Sequence, residues 1–296
     1  MSSEASGFRI PSILKKILVA LTGLVWVGYV AGHMAGNLQF FGPPSAINEY
    51  AYFLHNVMPP AMLWGVRIVL VLALVVHVWM IVLLTLENKR ARPENYAVDK
   101  TVQATIGSRT MRFSGAIVLT FIVVHILHFT VRALDPLYGR LQVIINDTSS
   151  QDVYAMTTVG FSNIGFSVFY IVAMGLLCLH LSHGVSSMFQ TVGLRNKTWE
   201  GPLNKIAYGY GAVIFIGFAS IPVAVLLAWY GGVDIGSIQD VKVAVESMSG
   251  FDGDIFIDYD GANALALSAS PEGCTCGGGE TLATVADAES VTMAGN

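Results

Sequence analysis

The side chains best placed to do chemistry in this sequence are its histidines. There are seven. Six fall in stretches free of Asp, Glu, Lys and Arg: His33, His77, His125, His128, His180 and His183. His55 lies between the first two of these stretches. A neutral imidazole ligates transition metals, and alone in an apolar helix it also serves as a hydrogen-bonding partner for a neighbour. The competing chemistries are poorly supplied. The same stretches hold no Asp or Glu, which excludes a carboxylate-bridged di-iron site of the helix-bundle kind and disfavours a carboxylate proton relay. The three cysteines form no paired CxxC pattern for zinc or an iron–sulfur cluster. A metal or redox centre in this chain must rest on histidine.

The elements that carry these histidines read as membrane spans. The chain has 296 residues, 54% hydrophobic and 12% charged, with a mean hydropathy of +0.61. That composition excludes a soluble globular enzyme and a disordered chain. The net charge of −4 excludes a nucleic-acid binder. About 20 apolar residues cross a bilayer. The charge-free windows are Ile17–Gln39, Ile68–Leu86, Phe113–Val131, Val153–Leu194 and Ile206–Val233. The fourth opens on polar residues (Thr157, Thr158, Ser162), so its helix is expected to begin near Asn163. The second is expected to begin just after Pro59-Pro60, because proline suits a first turn. Pro222 is expected to kink the fifth. The expected fold is therefore all-α, a polytopic bundle of five transmembrane helices.

Charge orients that bundle. Arg9, Lys15 and Lys16 precede span one, Lys89 to Arg112 lie between spans two and three, and Arg195, Lys197 and Lys205 lie between four and five. These loops hold 12 of the 16 basic residues, so the positive-inside rule puts the N-terminus in the cytoplasm and the C-terminus outside. Residues 1–232 form the membrane domain. Residues 233–296 hold 11 of the 20 acidic residues with many Gly, Ala and Ser, and read as a flexible external tail. Asp252, Asp254, Asp258 and Asp260 in it suggest calcium, with a solvated acidic run as the stronger reading. Cys274 and Cys276 are awkwardly spaced for a mutual disulfide.

Depth sorts the histidines. At about 1.5 Å per residue from the cytoplasmic edge, His33 lies roughly 24 Å in and His125 roughly 18 Å. His77 lies roughly 14 Å in and His180 roughly 15 Å. Each depth class draws one imidazole from each of two helices, the requirement for bis-histidine ligation of two hemes stacked across the membrane. His128 and His183 sit three positions on, at about 22 and 10 Å. Depth alone leaves open whether they replace their neighbours or support them, by contacting a propionate or orienting a ring. Gly28, Gly32, Ala35 and Gly36 surround His33, and Gly184 follows His183. Such small residues suit a flat macrocycle or ordinary helix packing. Arg67, the lone charge near the outer end of span two, either pairs a propionate or snorkels.

With these residues in view, residues 10–232 resemble the single-chain, five-helix diheme cytochrome b subunit of succinate:quinone oxidoreductases. The segments are Gly32-His33-Met34-Ala35-Gly36-Asn37, Val76-His77-Val78-Trp79, Val124-His125-Ile126-Leu127-His128-Phe129 and Leu179-His180-Leu181-Ser182-His183-Gly184. The run Ser187-Met188-Phe189-Gln190-Thr191-Val192-Gly193-Leu194 is the most specific. The resemblance implies two heme b groups, with His33 and His125 as axial ligands of the outer and His77 and His180 of the inner. It implies a flavoprotein (FAD) subunit and an iron–sulfur subunit on the cytoplasmic side of a bacterial-type inner membrane. It also implies a quinone, usually menaquinone, as electron acceptor. Glu49, His55 and Asn56 in the first outside loop are the polar candidates for the quinone pocket. One departure is Cys178, where fumarate reductases of this family can carry an acidic residue. Quinol:fumarate reduction uses the same parts and is the nearest alternative. A cytochrome b anchor for a hydrogenase or formate dehydrogenase is more distant. A heme-free transporter is the reading from a different class.

Overall fold

A computed structural model describes residues 10–91, 106–248, 250–251, 253–259 and 263–267. Among them are five helices long and apolar enough to cross a membrane, each overlapping one charge-free window. α1 runs Ser12–Asn37, α3 Pro60–Ala91, α4 Ile106–His125, α6 Ile164–Thr191 and α7 Glu200–Gly231. The expected boundaries hold. α3 opens on Pro60, whose missing N–H costs nothing in a first turn. Asn163 precedes α6 and its Oδ1 accepts the Phe166 N–H at 3.2 Å. α7 continues through Pro222. The surfaces are those of lipid-facing helices: on α3, Ile68, Val69, Val71, Leu72, Val75 and Trp79 are all exposed.

The chain divides into two compact units. The first comprises residues 1–34, 59–118 and 175–216. A buried Lys15 pairs with Glu87, and the Tyr210 hydroxyl donates to the Val27 carbonyl at 2.6 Å. α6 and α7 approach closely at Gly211. A Cβ there would lie 2.6 Å from Ser182 Oγ and 2.8 Å from the Cys178 carbonyl oxygen.

The second unit comprises residues 35–58, 119–174 and 217–296. It adds α2 (Pro44–Tyr52), α5 (Val153–Ser162) and α8 (Ile238–Ser247) to helical segments of the spans. It also holds strands β1 (Leu141–Ile145), β2 (Thr148–Gln151), β3 (Asp254–Asp258) and β4 (Asn263–Leu267). β1 and β2 form an antiparallel hairpin. Its two-residue turn has Asn146 and Asp147 both at positive φ (49° and 59°), the geometry that matches strand twist. β3 joins β1 in parallel and β4 joins β3 antiparallel, giving the order β2-β1-β3-β4.

The expected helical character holds: the fold is mostly helical and also carries this small sheet. The segment after residue 232 is not a flexible tail throughout, because α8 and β3 are folded. Ile238, Val241, Ala244, Ile255 and Ile257 share one core with Tyr138, Leu141 and Tyr154, so a boundary at 232 cuts through a hydrophobic cluster. Arg140 fastens β3 by donating from Nε to the Gly253 carbonyl at 2.8 Å, and Lys242 donates to the Trp229 carbonyl at 2.8 Å. Asp252, Asp260, Cys274 and Cys276, and with them the calcium and disulfide readings, lie outside the described residues, as do Arg92 and Lys100.

Candidate functional site

Within the first unit, α3 carries His77 and α6 carries His180, and each imidazole meets a hydroxyl from a different helix. Thr22 of α1 places Oγ1 3.1 Å from His77 Nδ1. Ser114 of α4 places Oγ 3.4 Å from His180 Nδ1. Both hydroxyls already have an acceptor in their own helix. Thr22 donates to the Leu18 carbonyl at 2.7 Å, and Ser114 to the Met111 carbonyl at 3.2 Å. Each hydroxyl can therefore accept from the imidazole, an arrangement that suits the Nδ1–H tautomer with the lone pair on Nε2, the form in which a neutral histidine ligates a metal.

A glycine follows each hydroxyl. A Cβ on Gly23 would lie 3.5 Å from His77 Cε1, and one on Gly115 would lie 3.3 Å from His180 Cε1. Among the described residues no cluster of three or more His, Cys, Asp or Glu could hold a bare metal ion. His77 and His180 each have a hydroxyl at Nδ1 and a glycine beside Cε1, and histidine is a side chain that can hold a heme iron. His183, three positions past His180, has Nε2 3.1 Å from Ser187 Oγ on its own helix.

His33 belongs to the same unit and stacks on Tyr29, with ring centroids 5.4 Å apart and planes at 9°. The glycines noted around it do not face an imidazole: Gly28 and Gly32 have nothing within 4 Å of a built Cβ, and Gly36 faces Tyr50. Arg67 is half-buried, with its guanidinium 5.1 Å from the Trp64 ring.

The second unit holds His125 and His128. His125 Nδ1 lies 3.4 Å from Tyr170 Oη. His128 ends span three in a π-helical turn, Ile126–Thr130. It is fully buried. Both of its nitrogens are taken: Nδ1 lies 3.0 Å from Tyr170 Oη and Nε2 lies 2.8 Å from Tyr138 Oη. Phe166 stacks on its ring at 4.4 Å. In this arrangement His128 is an interior hydrogen-bonding histidine with no nitrogen left over for iron. Glu49 on α2, and His55 and Asn56 in the π-helical turn that follows it, are all exposed. The residue that is buried there is their neighbour Asn48, whose Oδ1 accepts the N–H groups of Val153 (2.8 Å) and Tyr154 (3.0 Å).

Sequence reasoning missed Thr22, Ser114, Tyr138 and Tyr170. The one signal available was the pair of hydroxyl–glycine steps, Thr22-Gly23 and Ser114-Gly115, in otherwise apolar helices. No family model, curated protein or solved structure matches the chain.

Proposed function

We propose that the chain is the diheme cytochrome b membrane anchor of a succinate:quinone oxidoreductase, seated in a bacterial-type cytoplasmic membrane with its N-terminus in the cytoplasm. The observation that supports this most directly is the hydroxyl that Thr22 and Ser114 set against Nδ1 of His77 and His180. Two imidazoles prepared in the same way within one unit are more than helix packing requires. On this reading His77 and His180 hold the inner heme. His33 and His125 hold the outer one, an assignment resting on sequence depth and on the family resemblance. When bound, the two hemes supply one-electron transfer between the iron–sulfur subunit and a quinone of the menaquinone class. The chain's own contributions are to fix the imidazoles neutral and oriented, and to keep water away with apolar helices. Its basic residues, among them Arg112, Arg195 and Lys205, offer the cytoplasmic subunits, one of them carrying FAD, a positive face.

The test is a reduced-minus-oxidised absorbance spectrum of the purified chain with a hemochrome count. Two b hemes per chain are expected. A well-folded preparation, supplied with heme during expression and holding none, would sink the reading.

A further inference from the structure

Within the first unit, α3 and α4 enclose a cavity of about 310 Å³, lined by Thr85, Asn88 and Lys89 of α3 and Arg112 of α4. Thr85, Asn88 and Lys89 stand at i, i+3 and i+4, so one face of α3 presents all three. The depth of the cavity follows from the sequence. Leu86 closes the second charge-free window and Phe113 opens the third. The cavity therefore lies where hydrocarbon gives way to polar headgroups.

Every lining side chain can donate a hydrogen bond, and two carry a full positive charge. The ion pairs among the described residues are Lys15–Glu87 and Arg195–Glu200, and neither includes Lys89 or Arg112. Glu87, the carboxylate at this end of α3, is already taken by the buried Lys15. The wall is left with two cations and no acid. Lys89, in the last turn of α3, also complements that helix's dipole. Arg112 faces the same space from another helix, which the dipole does not account for.

The apolar surroundings describe the other half of the ligand. Leu86 lies one turn behind Lys89, and Val82 one turn behind Thr85. Both are exposed, as is Phe113 beside Arg112. A free phosphate would gain nothing from that surface. An acidic face on a soluble protein would match the charge but not the apolar side chains at this depth. A phospholipid matches both: its acyl chains lie along Val82, Leu86 and Phe113, and its phosphate sits between a guanidinium and an ammonium.

We propose that this cavity binds the headgroup of an anionic phospholipid, with Arg112 and Lys89 on the phosphate and Thr85 and Asn88 on its ester and glycerol oxygens. The site needs only the membrane spans and stands apart from the cytochrome reading. It makes Arg112 a lipid ligand at the rim of the basic face.

The full-length chain, purified in a neutral detergent, is titrated with phosphatidylglycerol, phosphatidylcholine and inorganic phosphate, and native mass spectrometry counts what binds. Ionic strength is held at about 0.15 M, so that charges beyond about 8 Å are largely screened. The parent is expected to bind phosphatidylglycerol about tenfold more tightly than phosphatidylcholine. Lys89→Gln combined with Arg112→Gln is expected to weaken phosphatidylglycerol binding about thirtyfold, roughly a factor of five for each basic residue. Both side chains are exposed, so the fold does not depend on them. Arg90→Gln combined with Arg109→Gln removes the same charge from the same two helices without altering the cavity wall. That pair is expected to cost less than about threefold. Equal losses in the two pairs would reduce the site to a diffuse basic surface and overturn it, as would equal binding of the two lipids. Inorganic phosphate bound as tightly as phosphatidylglycerol would make it a free-anion site and overturn the lipid assignment. Partner subunits lost from the complex in Lys89→Gln with Arg112→Gln, while phosphatidylglycerol binding stays at the parental level, would assign the two cations to protein docking and overturn it as well.

Discussion

Thr22 Oγ1 lies 3.1 Å from His77 Nδ1 while giving its own proton to the Leu18 carbonyl at 2.7 Å. The imidazole can therefore donate in this pair. Replacing Thr22 by Val keeps the shape and removes the hydroxyl acceptor, leaving the ring with the Val19 backbone as its other partner. Thr22→Val is expected to retain two hemes and to move the low-spin signal of one of them, and Ser114→Ala is expected to move the same one. Ser187→Ala, which strips the hydroxyl from His183, should move neither. Electron paramagnetic resonance of the oxidised protein decides it, and unmoved signals in Thr22→Val would reduce the residue to a packing role.

The two kinds of histidine in this chain predict opposite outcomes. On the proposed reading, His77→Ala removes an axial ligand of the inner heme, so the hemochrome count should fall from two to one while the fold survives. His128→Phe does the reverse. Its ring fits a site already lined by Phe129 and Phe166. Tyr138 and Tyr170, however, each lose a buried partner, at roughly 1–3 kcal/mol apiece. The count should stay at two and the midpoint of thermal unfolding should drop. A count of one in His128→Phe would make His128 a ligand.

What was legible in the sequence was what a bilayer imposes. A charge-free window of the right length has few folded alternatives, so all five spans and the starts at Pro60 and Ile164 could be read from one dimension. Thr22 and Ser114 were not legible, because their meaning is tertiary: a hydroxyl becomes the partner of an imidazole only when a particular helix lies beside it. The tail was misread for a related reason. Its acidic, Gly-rich composition is that of a disordered chain. Ile238, Val241 and Ala244 nevertheless form the buried stripe of α8, and Ile255 and Ile257 alternate along β3. These short patterns signify only once β1 is present to pair with β3. The Asn146-Asp147 turn, flanked by two short strands, was a usable hairpin signal.

Gly211 tests how tightly α6 and α7 must pack beside the candidate ligand. A methyl group there would meet a hydroxyl at 2.6 Å and, less forgivingly, the Cys178 carbonyl oxygen at 2.8 Å. His180 lies between those two contacts in sequence. The helices must separate to admit it, so Gly211→Ala is expected to cost about 1–3 kcal/mol. Gly209, with nothing within 4 Å, is the control on the same helix. Gly209→Ala should be neutral or stabilise by up to about 1 kcal/mol, since alanine is the better helix former. Thermal unfolding of the two variants side by side separates close packing from helix propensity.

Asp152 fastens the C-terminal segment, and its pH behaviour follows from its burial. The carboxyl is fully buried at the start of α5. It accepts from the Ala155 N–H at 2.8 Å, Asn48 Nδ2 at 3.1 Å and the Tyr259 hydroxyl at 2.6 Å. Burial raises its pKa above the usual carboxylate range, and the hydrogen bonds from Ala155, Tyr259, Asn48 and the Tyr154 backbone oppose that rise without cancelling it. A group whose folded pKa is raised stabilises the fold below its unfolded pKa and loses that contribution as pH climbs through the folded value. Docking of the residues around Tyr259 should therefore loosen with rising pH, seen as faster proteolytic release of the C-terminal segment. Asp152→Asn, which cannot ionise, should flatten the profile. Tyr259→Phe removes one hydrogen bond, at about 1–2 kcal/mol, and should speed release at every pH. Release that slows as pH rises in the parent protein would reverse the sign and place the ionised carboxylate, held by its donors, as the form the fold prefers.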